Sequence, residues 1–188
     1  MKTTLTTKNL LPNHQPFNKT PWNYTGNEQV QIMSDSIVDW VLVMARSATG
    51  TILEQQAAML DTQGNLRDTS GKEGIVMTNT IGTFLSIHHP SHVAVLSTAP
   101  YTGTLYDFTI NDSDGQLKLI DNQYCLYAGD YDGSGVINSQ DFNLWIANSA
   151  ALNQYLPIDG DGNGIINNLD FNIWNNNRSK IGHPYIRY

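Results

Sequence analysis

Oxygen-bearing residues recur at matching intervals in two twelve-residue stretches, Asp130-Tyr-Asp-Gly-Ser-Gly-Val-Ile-Asn-Ser-Gln-Asp141 and Asp159-Gly-Asp-Gly-Asn-Gly-Ile-Ile-Asn-Asn-Leu-Asp170. Calcium is a hard cation that takes six to eight oxygens, and a loop can supply them from positions 1, 3, 5, 7 (through the backbone carbonyl), 9 and 12. In the first stretch those positions are Asp130, Asp132, Ser134, the carbonyl of Val136, Asn138 and Asp141. In the second they are Asp159, Asp161, Asn163, the carbonyl of Ile165, Asn167 and Asp170. Gly135 and Gly164 stand at position 6, where the chain turns through a conformation that a Cβ disfavours. Position 12 is Asp rather than the usual Glu, so each loop must close more tightly around its ion. The expectation is two calcium ions, one per loop.

A single Asp-Gly-rich run is ordinarily just a turn. Repetition argues otherwise. Position 8 is Ile in both copies, Ile137 and Ile166, which suits a short antiparallel contact between the two loops. Each loop is followed by the same apolar signature, Asp141-Phe-Asn-Leu-Trp145 and Asp170-Phe-Asn-Ile-Trp174. Phe142 with Trp145, and Phe171 with Trp174, sit three apart and share one helix face. The segments before the loops do not read as helices: Tyr124-Cys-Leu-Tyr-Ala-Gly looks like a strand, and Pro157 precedes the second loop. Loop-then-helix units of this kind resemble the dockerin-type calcium repeat, a pair of half EF-hands, over residues 128 to 176. The chain departs from cohesin-binding dockerins in the wider spacing of its repeats and in having Phe-Asn-x-Trp where they carry a Leu-Lys/Arg pattern.

Composition agrees with a metal site. The formal charge of the 188 residues is −7, and of seventeen acidic residues only Glu28, Glu54 and Glu73 are glutamates. Six of the fourteen aspartates fall on the ligand positions. Two divalent ions would bring the charge to about −3, and an acidic chain argues against nucleic acid as a partner. Cys125 is the single cysteine, so no internal disulfide forms. Loops of ordinary affinity fill outside the cell, where calcium is ~1 mM; at a dissociation constant of ~10 μM each ion would contribute about 2.7 kcal/mol. The ions then act as staples in an extracellular or cell-surface protein. Residues 1 to 25 show no apolar signal-peptide core, and no segment approaches membrane-spanning length.

From Ile37 to Ile120 the chain reads as short β runs separated by turns. Ile37 to Ala45, Thr51 to Asp61, Gly74 to Thr78, Thr83 to His88, Val93 to Ser97, Gly103 to Ile110 and Gln116 to Ile120 make seven strands, which implies a mainly β fold: a two-sheet antiparallel, Ig-like β-sandwich. The expected organisation is an N-terminal extended segment (1–25), the sandwich (26–126), the double calcium-loop domain (127–176) and a basic tail (177–188). The entry Leu11-Pro-Asn-His-Gln-Pro-Phe-Asn-Lys-Thr-Pro-Trp-Asn-Tyr24 and the run Gly82-Thr-Phe-Leu-Ser-Ile-His-His-Pro-Ser-His-Val-Ala-Val-Leu-Ser97 resemble a sandwich module of bacterial secreted and surface proteins that precedes dockerin-like repeats. That resemblance spans residues 10 to 176 and implies location and architecture rather than an activity.

Other chemistry is thin. His88, His89 and His92 cluster at a hairpin tip, but alternation sends His88 and His89 to opposite faces, so three imidazoles do not converge and the reading is a polar turn. No G-x-S-x-G, H-E-x-x-H or Cys–His arrangement is present, and a carboxylate pair for catalysis would have to come from Asp112, Asp114 or Asp121, so the expectation is no enzyme. Trp22 and Trp40 could form a sugar-stacking platform, although Trp40 lies in the most apolar strand. Asn18, Asn23, Asn111 and Asn177 are formal glycan acceptors, and Asp35-Ser-Ile resembles an O-glycosylation motif, so a glycan is a possible partner. The tail holds Arg178, Lys180 and Arg187 and no acid, which suggests docking onto an acidic surface, its own or that of a neighbouring copy. The leading expectation is a non-enzymatic structural subunit that self-associates into a homopolymer, a cell-surface filament, by strand or tail exchange. The alternative is a dockerin-like or carbohydrate-binding adhesion module.

Overall fold

The apolar run Ile37–Arg46 becomes the central strand of the molecule, buried on both faces. The structure is a computed structural model that describes residues 1–78, 80–110 and 114–188. A short helix, α1 (Thr4–Thr7), is followed by β1 (Ile37–Arg46), β2 (Ile52–Asp61), β3 (Leu66–Arg67), β4 (Phe84–His89), β5 (His92–Leu96), β6 (Lys118–Ile120), β7 (Gln123–Cys125), α2 (Ser139–Asn148), α3 (Asn168–Asn177) and a 3-10 turn at Pro184–Ile186. β3-β2-β1-β4-β5 form one antiparallel sheet, and β6-β7 a separate two-stranded ribbon. Pairing is local: Trp40 lies opposite Met59 and Met44 opposite Gln55, while Leu42 faces Ala57 on one side and His88 on the other.

The fold is mainly β and antiparallel; among the described residues the ladders form one five-stranded and one two-stranded sheet. The N-terminal segment covers one face of the larger sheet. Leu5, Leu11, Phe17, Trp22, Tyr24 and Val30 pack with Trp40, Leu42, Met44, Ala57 and Met59 in one buried cluster. Such irregular chain can cover a sheet only if its polar backbone groups find partners. Several do: the Trp40 indole N–H donates to the Pro12 carbonyl at 2.8 Å, and the Thr6 hydroxyl donates to the Ile37 carbonyl at 2.6 Å.

Two expected strands are absent for a common reason, competition from side-chain acceptors. Asp107 accepts from both the backbone N–H and the hydroxyl of Thr109, which turns the chain within 103–110. The Thr78 N–H donates to the Glu54 carboxylate rather than to a ladder. β3 was not among the expected runs, because a two-residue strand carries too little periodicity to read, while β7 overlaps only the start of the strand expected at Tyr124-Cys-Leu-Tyr-Ala-Gly. Trp22 is 8 % exposed and Trp40 fully buried, so neither offers a sugar-stacking face. Asn177 is also buried, its amide donating to the Ala128 carbonyl and its oxygen accepting from Lys118, which removes it as a glycan acceptor. Asn18 and Asn23 are exposed, whereas Asn111 and Asp112 lie outside the described residues. No helix among the described residues is long and apolar enough to cross a membrane.

Both chain ends lie on their own molecule. Ile186 packs with Ala94, Leu96 and Phe84, and the buried Arg46 guanidinium donates to the Tyr185 carbonyl at 3.0 Å. Lys180 stands 4.5 Å over the Tyr127 ring. The basic tail therefore docks through apolar and backbone contacts, not against an acidic patch. Exchange of ends between copies finds no support in this arrangement.

Candidate metal centres

In each loop three carboxylates converge. One oxygen from each of Asp130, Asp132 and Asp141, and likewise from Asp159, Asp161 and Asp170, lies within 4.8 Å of the other two. Asp130, Asp141, Asp159 and Asp170 are buried and the other two half-buried. The loops close through their own backbone. Asp130 accepts from the Gly135 N–H at 2.8 Å, and Asp159 from the Gly164 N–H at 2.7 Å, so the residue at position 1 holds the glycine at position 6. Gly135 has φ +83° and Gly164 φ +79°, the left-handed conformation that glycine enters without strain.

Position 12 serves two structures at once. Asp141 accepts from Tyr131 N–H at 2.6 Å with one oxygen and from Asn138 N–H at 2.8 Å with the other. Asp170 does the same with Gly160 and Asn167, both at 2.8 Å. Asn138 and Asn167 are the N-caps of α2 and α3, so each loop ends in a complete capping box. The shorter Asp is thus also the reach-back residue that starts the helix. Ser134, Val136 and Asn138 stay on the first loop: the Ser134 hydroxyl and the Asn138 amide both reach the Val136 carbonyl, at 3.3 and 3.2 Å. In the second loop the Asn163 amide meets Asp161 at 2.8 Å, and the Asn167 amide points at the Ile165 carbonyl at 3.5 Å.

These residues fit a hard divalent cation. Burial, with the negative charge of Asp141 beside it, pushes the Asp130 carboxyl up to about 8. Burial raises Asp159 to about 6 against the hydrogen bonds from Gly164 and Asn163, and raises Asp141 and Asp170 as well. Like charges gathered in a dry site resist ionisation unless a cation sits among them.

The expected pairing of the loops with each other is not what forms. The Ile137 N–H donates to Lys180 O and the Ser179 N–H to Ile137 O, while Val136 bridges Ile181. The second loop pairs instead with residues 150–153: Ile166 exchanges hydrogen bonds with Ala150 and Ala151, and Leu152 bridges Ile165. Each loop is therefore zipped to the chain that leaves the other repeat's helix. Ile137 and Ile166 remain buried, but as anchors of two separate bridges. The indoles complete the exchange: Trp145 donates to Asn167 O at 3.0 Å, and Trp174 to Asn138 O at 2.8 Å. Phe142, Trp145, Phe171 and Trp174 meet in one half-buried aromatic group, with the Phe142 and Trp174 rings 5.0 Å apart.

The chain ends and the N-terminal segment roof these loops. Pro21 and Trp22 press on Gly133, Arg187 on Gly135 and Leu10 on Gly164, while Lys8 Nζ donates to the Asn163 carbonyl at 2.7 Å. No motif signalled these contacts. In the β4–β5 turn, His88 does face away from His89, as alternation requires, and hydrogen-bonds Ser86. His89 and His92 nevertheless meet across the turn.

No family model matches the chain, and no curated protein matches it. Two solved structures are similar to it, an N-terminal and a C-terminal interface mutant of the type II cohesin–X-dockerin complex from Acetivibrio cellulolyticus. They are 17 % and 18 % identical to this chain, each with a TM-score of 0.44 covering 75 % of this chain and 81 % of the matched one.

Proposed function

We propose that the chain is a non-enzymatic, calcium-stabilised structural module of a secreted or cell-surface protein. Asp130, Asp132, Ser134, Asn138 and Asp141 with the Val136 carbonyl would hold one calcium ion. Asp159, Asp161, Asn163, Asn167 and Asp170 with the Ile165 carbonyl would hold the other. The observation that carries this reading is the pair of carboxylate triads, each with two buried members, at equivalent positions of two repeats. Calcium would supply positive charge that lets those carboxylates ionise, and the closed loops would hold the starts of α2 and α3 and the chain-end segments packed on them. The resemblance of the loop sequences to dockerin-type repeats supports an extracellular setting, where calcium is abundant enough to keep such loops filled.

Isothermal titration of the chelated chain should give two calcium ions per molecule, with Asp130→Asn and Asp170→Asn each removing one. A titration without heat, together with a melting temperature indifferent to chelator, would overturn the reading. A second role, docking of a protein partner in the dockerin-like manner, is favoured by one observation: Ile146 (51 % exposed) and Leu169 (54 %) stand on α2 and α3. Partner capture that requires calcium and fails in Ile146→Asp would support it. A filament would have to detach ends that are packed at home, so sedimentation of the calcium-loaded chain as a monomer would close that possibility.

A further inference from the structure

The β4–β5 turn gathers a second set of ligand atoms, of a different chemistry. Nδ1 of His89 and Nδ1 of His92 lie 2.9 Å apart, and the Ser91 hydroxyl oxygen is 3.2 Å from the first and 3.0 Å from the second. The backbone imposes this closeness. His89 and His92 are partners in the β4–β5 ladder, and partners across an antiparallel pair share a face. Pro90 and Ser91 between them are buried, so the turn has little freedom to reorient.

The geometry points to a binding site for a borderline divalent cation of the zinc, nickel or copper class, ligated by Nδ1 of His89, Nδ1 of His92 and the hydroxyl of Ser91. Such cations favour imidazole, whereas calcium favours carboxylate and carbonyl oxygen, so this site and the acidic loops sort cations by chemistry. Asp39 prepares the first ligand. Its carboxylate lies 3.2 Å from His89 Nε2, which favours the proton on that nitrogen and leaves the Nδ1 lone pair on the cluster side, where it accepts from the Ser91 N–H at 3.2 Å, a bond that a bound metal would replace. Asp39 is buried and itself held, by the Tyr155 hydroxyl and the Trp40 N–H, each at 2.7 Å. A carboxylate behind a ligating histidine is the recurrent outer-shell arrangement of imidazole-bound metals.

Tetrahedral zinc with bonds of 2.0–2.1 Å spaces its ligand atoms about 3.3 Å apart, so the triangle needs to open by only a few tenths of an ångström. His92 is partly exposed, which leaves solvent a path to the remaining coordination position. The site also lies on the seam between sheet and loops. The Gly129 N–H donates to Ser91 O at 2.9 Å, Ala128 bridges His92, and Tyr155 comes from the segment between the repeats.

The test is a zinc chloride titration of the full, calcium-saturated chain by calorimetry in metal-free buffer, with cobalt(II) absorption as a second readout. One zinc per chain is expected, with tetrahedral cobalt bands. His92→Ala should weaken binding at least thirtyfold while its calcium-dependent melting temperature stays as in the parent. Asp39 is a positioning residue, and Asp39→Asn should weaken zinc tenfold to a hundredfold with the stoichiometry intact. Asp130→Asn and Asp159→Asn should leave zinc affinity unchanged. No zinc heat in the parent chain would mean that the two rings merely share a hydrogen bond, and the proposal fails. It fails equally if zinc binding survives His92→Ala or disappears in the loop variants, since the metal would then sit among the carboxylates.

Discussion

Stripping calcium with excess EDTA should lower the melting temperature, and the drop should widen as pH rises. At ~1 mM calcium and a dissociation constant of ~10 μM, each ion contributes about 2.7 kcal/mol, so two contribute about 5 kcal/mol. For a chain of this size that corresponds to about 10–20 °C. The pH dependence comes from protons that must leave before a cation can enter. The ion-free fold holds Asp130 at about 8, far above its ordinary 3.8. Its contribution to the stability of the ion-free chain is therefore complete below 3.8 and is lost as pH climbs through about 8. Over pH 5.5 to 7.5 that is one proton across two units, about 2.7 kcal/mol or a hundredfold in affinity at the first loop. Buried His88, driven down to about 3, has the opposite slope, with stability complete above 6.5 and lost as pH falls toward 3. That slope is common to both forms and cancels in their difference. Melts followed by tryptophan fluorescence, with calcium or with EDTA, should thus diverge by a further 5–10 °C between pH 5.5 and 7.5. A gap that stays flat across this range, or no gap at pH 7.5, would refute the reasoning.

Three substitutions probe the surrounding structure. Gly135→Ala places a Cβ 2.8 Å from the Arg187 side chain at φ +83°, and should cost about 1–3 kcal/mol in denaturant melts, more in calcium than in EDTA. Trp145→Phe keeps an aromatic ring, though a smaller one, and removes the bond to the Asn167 carbonyl; it should cost about 1 kcal/mol or more while weakening calcium at the second loop in titration. Trp40→Ala empties the centre of the buried cluster, and urea unfolding should register a loss of about 3–5 kcal/mol with both calcium ions still bound by the folded fraction.

How much of this was readable beforehand depended on how local the signal was. Ligand positions repeat at fixed spacing, and the structure does gather Asp130, Asp132 and Asp141, and Asp159, Asp161 and Asp170, because each set lies within one loop. The strand Ile37–Arg46 was equally legible, since its apolar run is long. The cover of the sheet was not. Leu5, Leu11, Phe17 and Trp22 follow no period, and only their packing with Trp40 reveals that they cover a face of the larger sheet. The partners of Ile137 and Ile166 were misread for the same reason: a β-bridge of one or two residues leaves no pattern in either participant. Alternation correctly separated His88 from His89, but it says nothing about what a tight turn brings back from the other side.

The crossed arrangement of the two repeats bears on how their ions load. Trp174 holds the carbonyl of Asn138 while Trp145 holds that of Asn167, and each loop is zipped to the chain leaving the other helix. If each loop takes an ion, ordering one loop would spend conformational entropy that the other no longer has to lose, and the second ion should bind more tightly than the first. Around half saturation the half-loaded molecule would then be depleted, and the lobe would respond to falling calcium over a narrower concentration range than two independent loops would allow.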